Sequence, residues 1–267
     1  MDTAGFEFAP LRIADLIAPV WFVLCWAGYT WYADRERRRP SLMQTMHRYR
    51  RLWMKSMLGR DNRMVDVQII GNLMRSASFF ASTARFIIGG LVAVLGARVQ
   101  AMDVLHELPF VAESPPLLWD LKILLLVVLF VYAFFKFTWS YRQYNYGLIL
   151  LGSIPGPSQL TDESRRIAER AATIATSTAR HFNRGMRAYY FGLAALSWFL
   201  HPWLFVALTA WVVLVLYRRE FRSRLLKTLG LPELDAEEIP PETERSSDQS
   251  ASAVATSTSA VASRSAR

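Results

Sequence analysis

Large apolar residues are gathered into blocks separated by polar, mostly basic stretches. Residues 117–135 and 188–217 are nearly unbroken apolar runs, and 13–32 and 76–97 are two less uniform ones. A run of ~18 or more apolar residues is long enough to cross the ~30 Å hydrocarbon core of a bilayer. The pattern predicts an all-α, polytopic helical membrane protein with three clear spans near 13–32, 76–97 and 117–135. The last run is too long for one crossing, because thirty helical residues cover ~45 Å. His201-Pro202 falls near its middle, and proline removes a backbone donor and clashes with the preceding turn. A broken C-terminal hydrophobic hairpin is therefore predicted, with segments near 188–200 and 203–217, either two short crossings or a re-entrant pair.

The polar stretches carry helical periodicity of their own. Leu42, Met46, Tyr49, Trp53 and Met57 recur at helical spacing, with Arg48, Arg50, Arg51 and Lys55 flanking the stripe and Ser41 placed to cap the start. This basic amphipathic helix is expected to lie on anionic lipid. Tyr132, Lys136, Trp139, Gln143 and Tyr146 form a second stripe that carries the third span past the membrane, ending at Ile154-Pro155-Gly156-Pro157. Thr161, Asp162 and Glu163 open a polar helix over 162–183 with a weak apolar face at Ile167, Ala171, Ile174 and Thr178. The cytosolic segments are thus expected at 33–75 and 136–187.

Charge orients these elements. Segment 33–75 holds eleven Lys/Arg against four acids, 136–187 holds eight Lys/Arg, and the connector 98–116 holds one. Cytoplasmic loops are enriched in Lys/Arg, so a short N-terminus, 1–12, is expected outside. Arg218, Arg219, Arg222, Arg224 and Lys227 follow the last apolar run, and only a hairpin returns them to the cytoplasm. The C-terminus is then cytoplasmic, and the compartment expected is a bacterial cytoplasmic membrane. No basic segment precedes the first apolar run, which argues against a signal peptide.

Composition sharpens the picture. The chain of 267 residues carries a net charge of +9 and is 52% hydrophobic. The blocked arrangement argues against a soluble globular protein and against a nucleic-acid binder. Segment 231–267 has three basic and seven acidic residues and few large apolar ones. It cannot bury enough surface to offset ordering entropy and is expected to be disordered. The single cysteine, Cys25, excludes an internal disulfide and reads as packing.

Candidate chemistry is sparse. Arg85 lies inside the second span, on the face of Ala81, Gly89 and Ala93, where another helix could approach closely. Asp15, Asp120 and Lys122 fall near the outer span ends, where they could pair with one another or reach Arg85. His47, His106, His181 and His201 share no metal-ligand spacing, so no metal and no cofactor are expected. His201 and Pro202 read as the hairpin break. No GxSxG, Walker or GxGxxG pattern occurs, and no catalytic residue is nominated.

Several stretches together resemble the domain of unknown function 599 family of multi-span membrane proteins. They are MHRYRRLWMKSML (46–58), DNRMVDVQIIGNLMRSASFFAST (61–83), FVYAFFKFTWSYRQYNY (130–146), HFNRGMRAYYFGLAALSWFLHPWLF (181–205) and LYRREFRS (216–223). The resemblance covers roughly 16–229. It implies a multi-span membrane protein and brings no established activity and no catalytic residues.

Function then rests on the residues. The leading expectation is a non-enzymatic membrane organiser that binds anionic lipids, a second copy of itself or another membrane protein through its basic cytosolic face. The alternative is a small-solute or ion transporter or channel using Arg85 and the nearby acids. A lipid-modifying enzyme would have to use the 132–146 stripe with His181 and Asn183.

Overall fold

The computed structural model describes residues 13–35, 41–106 and 115–229. The N-terminus expected outside (1–12), the tail expected to be disordered (231–267) and residues 107–114 of the connector lie outside the described residues. The described chain is all helical: α1 (Ile13–Arg35), α2 (Leu42–Leu58), α3 (Met64–Gly96), α4 (Arg98–His106), α5 (Pro116–Gly152), α6 (Asp162–Leu196), α7 (Pro202–Phe221) and α8 (Arg224–Leu229). Two of them, α3 and α5, are long and apolar enough to cross a membrane.

Local chemistry accounts for the helix starts. Ser41 caps α2 by accepting from the Gln44 N–H at 3.2 Å. Thr161 and Ser164 form a reciprocal capping box at α6. Pro116 opens α5, where a missing N–H costs nothing. After a short 3-10 turn, Ser197–Phe199, the His201 ring accepts from the Trp203 N–H at 3.3 Å and Pro202 opens α7. The helix break expected at His201-Pro202 is therefore present. Two boundaries differ from expectation. Helix α3 begins at Met64, twelve residues before the expected span, and α6 runs without interruption from its polar half into the apolar run. Neither site holds a proline to stop the helix, and hydropathy changes there without any change in backbone preference.

Ring and charge contacts give the helix directions. Phe80 of α3 stacks on Phe137 of α5 at 5.4 Å, and Arg98 pairs with Asp120 at 2.9 Å. Both pairings fit one antiparallel register over ~27 Å, about 18 residues at 1.5 Å each. The rings of Phe22 and Phe205 meet at 5.1 Å, and those of Tyr32 and Phe221 at 5.7 Å, so α1 and α7 run parallel. Trp26 meets Tyr132 at 5.1 Å, and Asp15 and Lys122 both reach the Trp198 indole, so α1 runs parallel to α5. Helices α1, α5 and α7 thus run one way, and α3 and α6 run the other.

Three packed layers follow one another along α5. The first joins α1, α5, α6 and α7 around Phe22, Leu126, Leu129, Phe191, Trp198 and Phe205. The second is aromatic, with Phe137 enclosed by Phe80, Phe182 and Tyr189. The third joins α2, α3, α5 and α6 around Met54, Met57, Ile70, Tyr144 and Leu151. Small residues let α5 and α6 close up. A Cβ at Gly185 would lie 2.7 Å from the Phe137 ring, and one at Gly192 would lie 3.0 Å from Phe130. By contrast α3 packs along one narrow face, with Ala77 and Ala84 buried and Phe79, Phe86 and Val92 exposed.

Candidate functional site

The polar residues gather at the two ends of the bundle. One end, here the basic end, holds the C-termini of α1 and α7, the N-terminal half of α6, the later half of α5, and α2. Met43 N–H donates to Glu220 at 3.4 Å, and the Tyr49 hydroxyl donates to the Leu229 carbonyl at 2.7 Å, tying α2 to α7 and α8.

At this end one carboxylate serves several cations. Asp34 accepts from Arg184 Nε at 2.7 Å and from Arg187 Nη1 at 3.4 Å. Arg187 is buried and also lies over the Tyr29 ring, 5.4 Å from its centroid. Lys136 stands within the field of both Arg184 and Asp34, with its Nζ over the Tyr132 ring at 5.1 Å. Two arginines and a lysine therefore stand around Asp34, and Glu220 acts on the same Tyr29. His181 stands beside them and faces Trp139 at 6.4 Å between ring centroids. Burial first, then Lys136, Arg184 and Arg180, push its pKa below the ordinary histidine value.

A cavity of about 280 Å³ opens on the basic-end side of the aromatic layer, between α2, α3, α5 and α6. Arg50, Gln143, Tyr144 and Asn183 line it together with apolar side chains of all four helices. Arg50 Nη1 and Gln143 Oε1 are buried and have no hydrogen-bond partner. Burial lowers the Arg50 pKa, and the neighbouring Tyr144 works against that shift.

The predicted stripes divide in the structure. On α5 the buried line is Ala133, Phe137, Ser140, Tyr144 and Gly147. Tyr132, Lys136 and Gln143 flank it half-buried, whereas Trp139 and Tyr146 face outward. On α2 the apolar face is covered by protein, with Met54 and Met57 fully buried against α3, α5 and α6. The expectation that this face rests on lipid is corrected. Arg48 and Lys55 are exposed, Arg51 pairs with Glu169 at 3.1 Å, and Arg50 turns inward to the cavity.

The intramembrane candidates also move. Arg85 is exposed, the face of Gly89 and Ala93 is open, and no other described helix covers it. Asp120 is taken by Arg98, so Arg85 does not reach it. The Phe80–Phe137 register places Arg85 only ~7.5 Å, about five residues, beyond the aromatic layer. Helical side chains lean toward the N-terminus, here the basic end, so Arg85 can snorkel there. At the opposite end Asp15 and Lys122 are both buried around one indole. Trp198 Nε1 donates to Asp15 at 3.2 Å, and Lys122 Nζ lies over the Trp198 ring at 5.5 Å.

A family model of proteins of unknown function, DUF599, matches residues 17–225. The chain belongs to this DUF599 family. The matched stretch covers the whole cavity lining and most of the bundle, leaving out Asp15 and most of α8. No curated protein and no solved structure matches the chain.

Two tethers at the basic end were not singled out in the sequence. Asp66, fully buried at the first turn of α3, accepts from Trp53 Nε1 at 2.6 Å and pairs with Arg60. Arg63 donates to the carbonyls of Ile154 and Pro155 at 2.6 and 2.7 Å, closing the exposed end of α5. An acid in the first turn of a helix is a readable signal. The partner of Arg63, 91 residues away, is not.

Proposed function

We propose that this DUF599 protein is a five-crossing protein of a bacterial cytoplasmic membrane that holds anionic lipid against its basic cytosolic end, without chemistry of its own. The alternating directions of α1, α3, α5, α6 and α7 support five crossings, with the N-terminus outside and the C-terminus inside. The exposed Phe79, Phe86 and Val92 of α3 suit lipid better than water.

The observation that carries the lipid reading is the imbalance around Asp34. Arg184 and Arg187 already outnumber it, and Lys136 adds a third cation at the depth where headgroup phosphates would lie. Arg48 and Lys55 add exposed cations on α2. A juxtamembrane Lys/Arg attracts anionic lipid by ~1 kcal/mol. Such a surface would gather anionic lipid around the protein or recruit an acidic partner domain.

Native mass spectrometry of the detergent-purified protein tests this, with phosphatidylglycerol and phosphatidylcholine supplied in equal amounts. The wild type should retain phosphatidylglycerol preferentially. Replacing Arg48, Arg51, Lys55 and Lys136 by Gln should reduce that preference by at least ~10-fold. An unchanged preference would contradict the proposal.

A further inference from the structure

The cavity at the basic end contains a guanidinium that no acid among the described residues pairs with. Arg50 enters it from α2, and among the described residues it makes no hydrogen bond and no ion pair. Arg50 is half-buried as a residue, but its Nη1 is fully buried and unpartnered, a state that is unfavourable for a charged donor and that protein interiors normally relieve with an acid or an ordered acceptor. Glu220 also lines the cavity, but its recorded contact is with the Met43 N–H, and it forms no ion pair with Arg50. The amide of Gln143 spends one end on Ser177 Oγ at 3.4 Å and leaves the other buried and unused.

Tyr144, Thr178 and Asn183 add polar groups, and the rest of the wall is apolar, with Met43, Met46, Met54, Ile70, Leu73 and Leu151 among its residues. Methionines give such a wall adaptability to chain shape. Gly147 leaves it open, since a Cβ there would meet nothing within 4 Å. The volume stands near the ~300 Å³ lower bound of small-molecule sites, enough for a head and part of a chain.

We infer that this cavity binds an anionic amphiphile, one carboxylate or phosphate head set on Arg50 and Gln143 and one alkyl chain along the methionine-lined wall. An inorganic anion would leave the apolar wall unfilled, and a zwitterionic head would bring a second cation to Arg50. The inference rests on the membrane reading for its supply of ligand and not on the cluster around Asp34. Both a free fatty acid and an anionic phospholipid carry this chemistry.

Native mass spectrometry and thermal shift on the full chain in detergent decide it, with oleate, lysophosphatidylglycerol, lysophosphatidylcholine and inorganic phosphate as separate probes. The wild type should take up one oleate or one lysophosphatidylglycerol, with the other two probes bound at least ~10-fold more weakly. Uptake of oleate alone assigns a fatty acid as the ligand, and uptake of lysophosphatidylglycerol alone assigns a phospholipid. Arg50→Gln should lower affinity by about tenfold or more, and Arg50→Lys should restore part of it. Gly147→Leu keeps every charge and fills the open wall, so it should also lose the ligand while retaining the wild-type melting temperature. Equal uptake of lysophosphatidylcholine, uptake of neither anionic probe, or full affinity in Gly147→Leu would overturn the inference. An unchanged phosphatidylglycerol preference in the Arg48, Arg51, Lys55 and Lys136 variant would retire the surface reading alone.

Discussion

Arg50 stands in a basic run with Arg48 and Arg51, and Arg85 is a lone cation in an apolar stretch, and the structure gives the two opposite surroundings. Arg50 is turned into protein because α2 packs against α6, and its guanidinium waits on a partner. Arg85 faces out of the bundle, close enough to the basic end to reach past the apolar zone. No cavity within the described bundle forms around Arg85. His47 shows a third setting. Its Nδ1 lies 2.8 Å from Thr176 Oγ1, whose hydroxyl is spent on the Ala172 carbonyl. Burial, then Arg51, Arg50 and Arg180, push the His47 pKa down, and His181 is shifted the same way. The folded state then binds these protons less readily than the unfolded chain. Stability should be complete above the ordinary histidine value of ~6.5 and fall as pH drops through it toward the depressed folded-state values. Thermal melts from about pH 8 to about pH 5 should show this decline, and His47→Gln should flatten it, leaving the share due to His181. An equal slope in the variant would remove His47 from the account.

At the scale of elements, the contact of α5 with α6 is the most demanding in the bundle. Gly185 meets the fully buried Phe137 ring, which Phe80, Phe182 and Tyr189 enclose, so the ring has nowhere to go. Gly185→Ala should lower unfolding stability by about 1–3 kcal/mol, measured by denaturation in detergent, with Gly192→Ala milder because Phe130 lies farther off. A neutral Gly185→Ala would contradict the packing described. Much of the element plan was legible beforehand. Ser41, Thr161 and Pro202 are short-range signals, and each starts a helix where its chemistry says it should. The depth of Arg85 was not legible, because it depends on how α3 slides against α5, and Phe80 and Phe137 are 57 residues apart. The stripe on α2 was legible as a stripe, but whether lipid or α6 covers it depends on the tertiary arrangement. The cavity needs four helices at once: Gln143 and Asn183 were singled out together as a headgroup-level cluster and Arg50 as part of the basic face, and nothing in the sequence joins the two.

For the whole molecule, the two ends differ in their charge balance. At one end Arg98 pairs with Asp120, and Asp15 and Lys122 meet the same Trp198 indole, one acid for each base. The other end gathers Lys136, Arg184, Arg187, Arg218, Arg219 and Arg222 with few acids among them, and the rings of Tyr32, Tyr217 and Phe221 bring the ends of α1 and α7 together there. A bilayer with an anionic inner leaflet would receive such a molecule in one orientation. The anionic-lipid surface and the amphiphile cavity both require that orientation. It is tested by labelling with a membrane-impermeant maleimide in intact cells, starting from Cys25→Ala and introducing His201→Cys or Arg222→Cys. The account predicts that His201→Cys labels in intact cells and Arg222→Cys labels only after lysis. Labelling of Arg222→Cys in intact cells would contradict it.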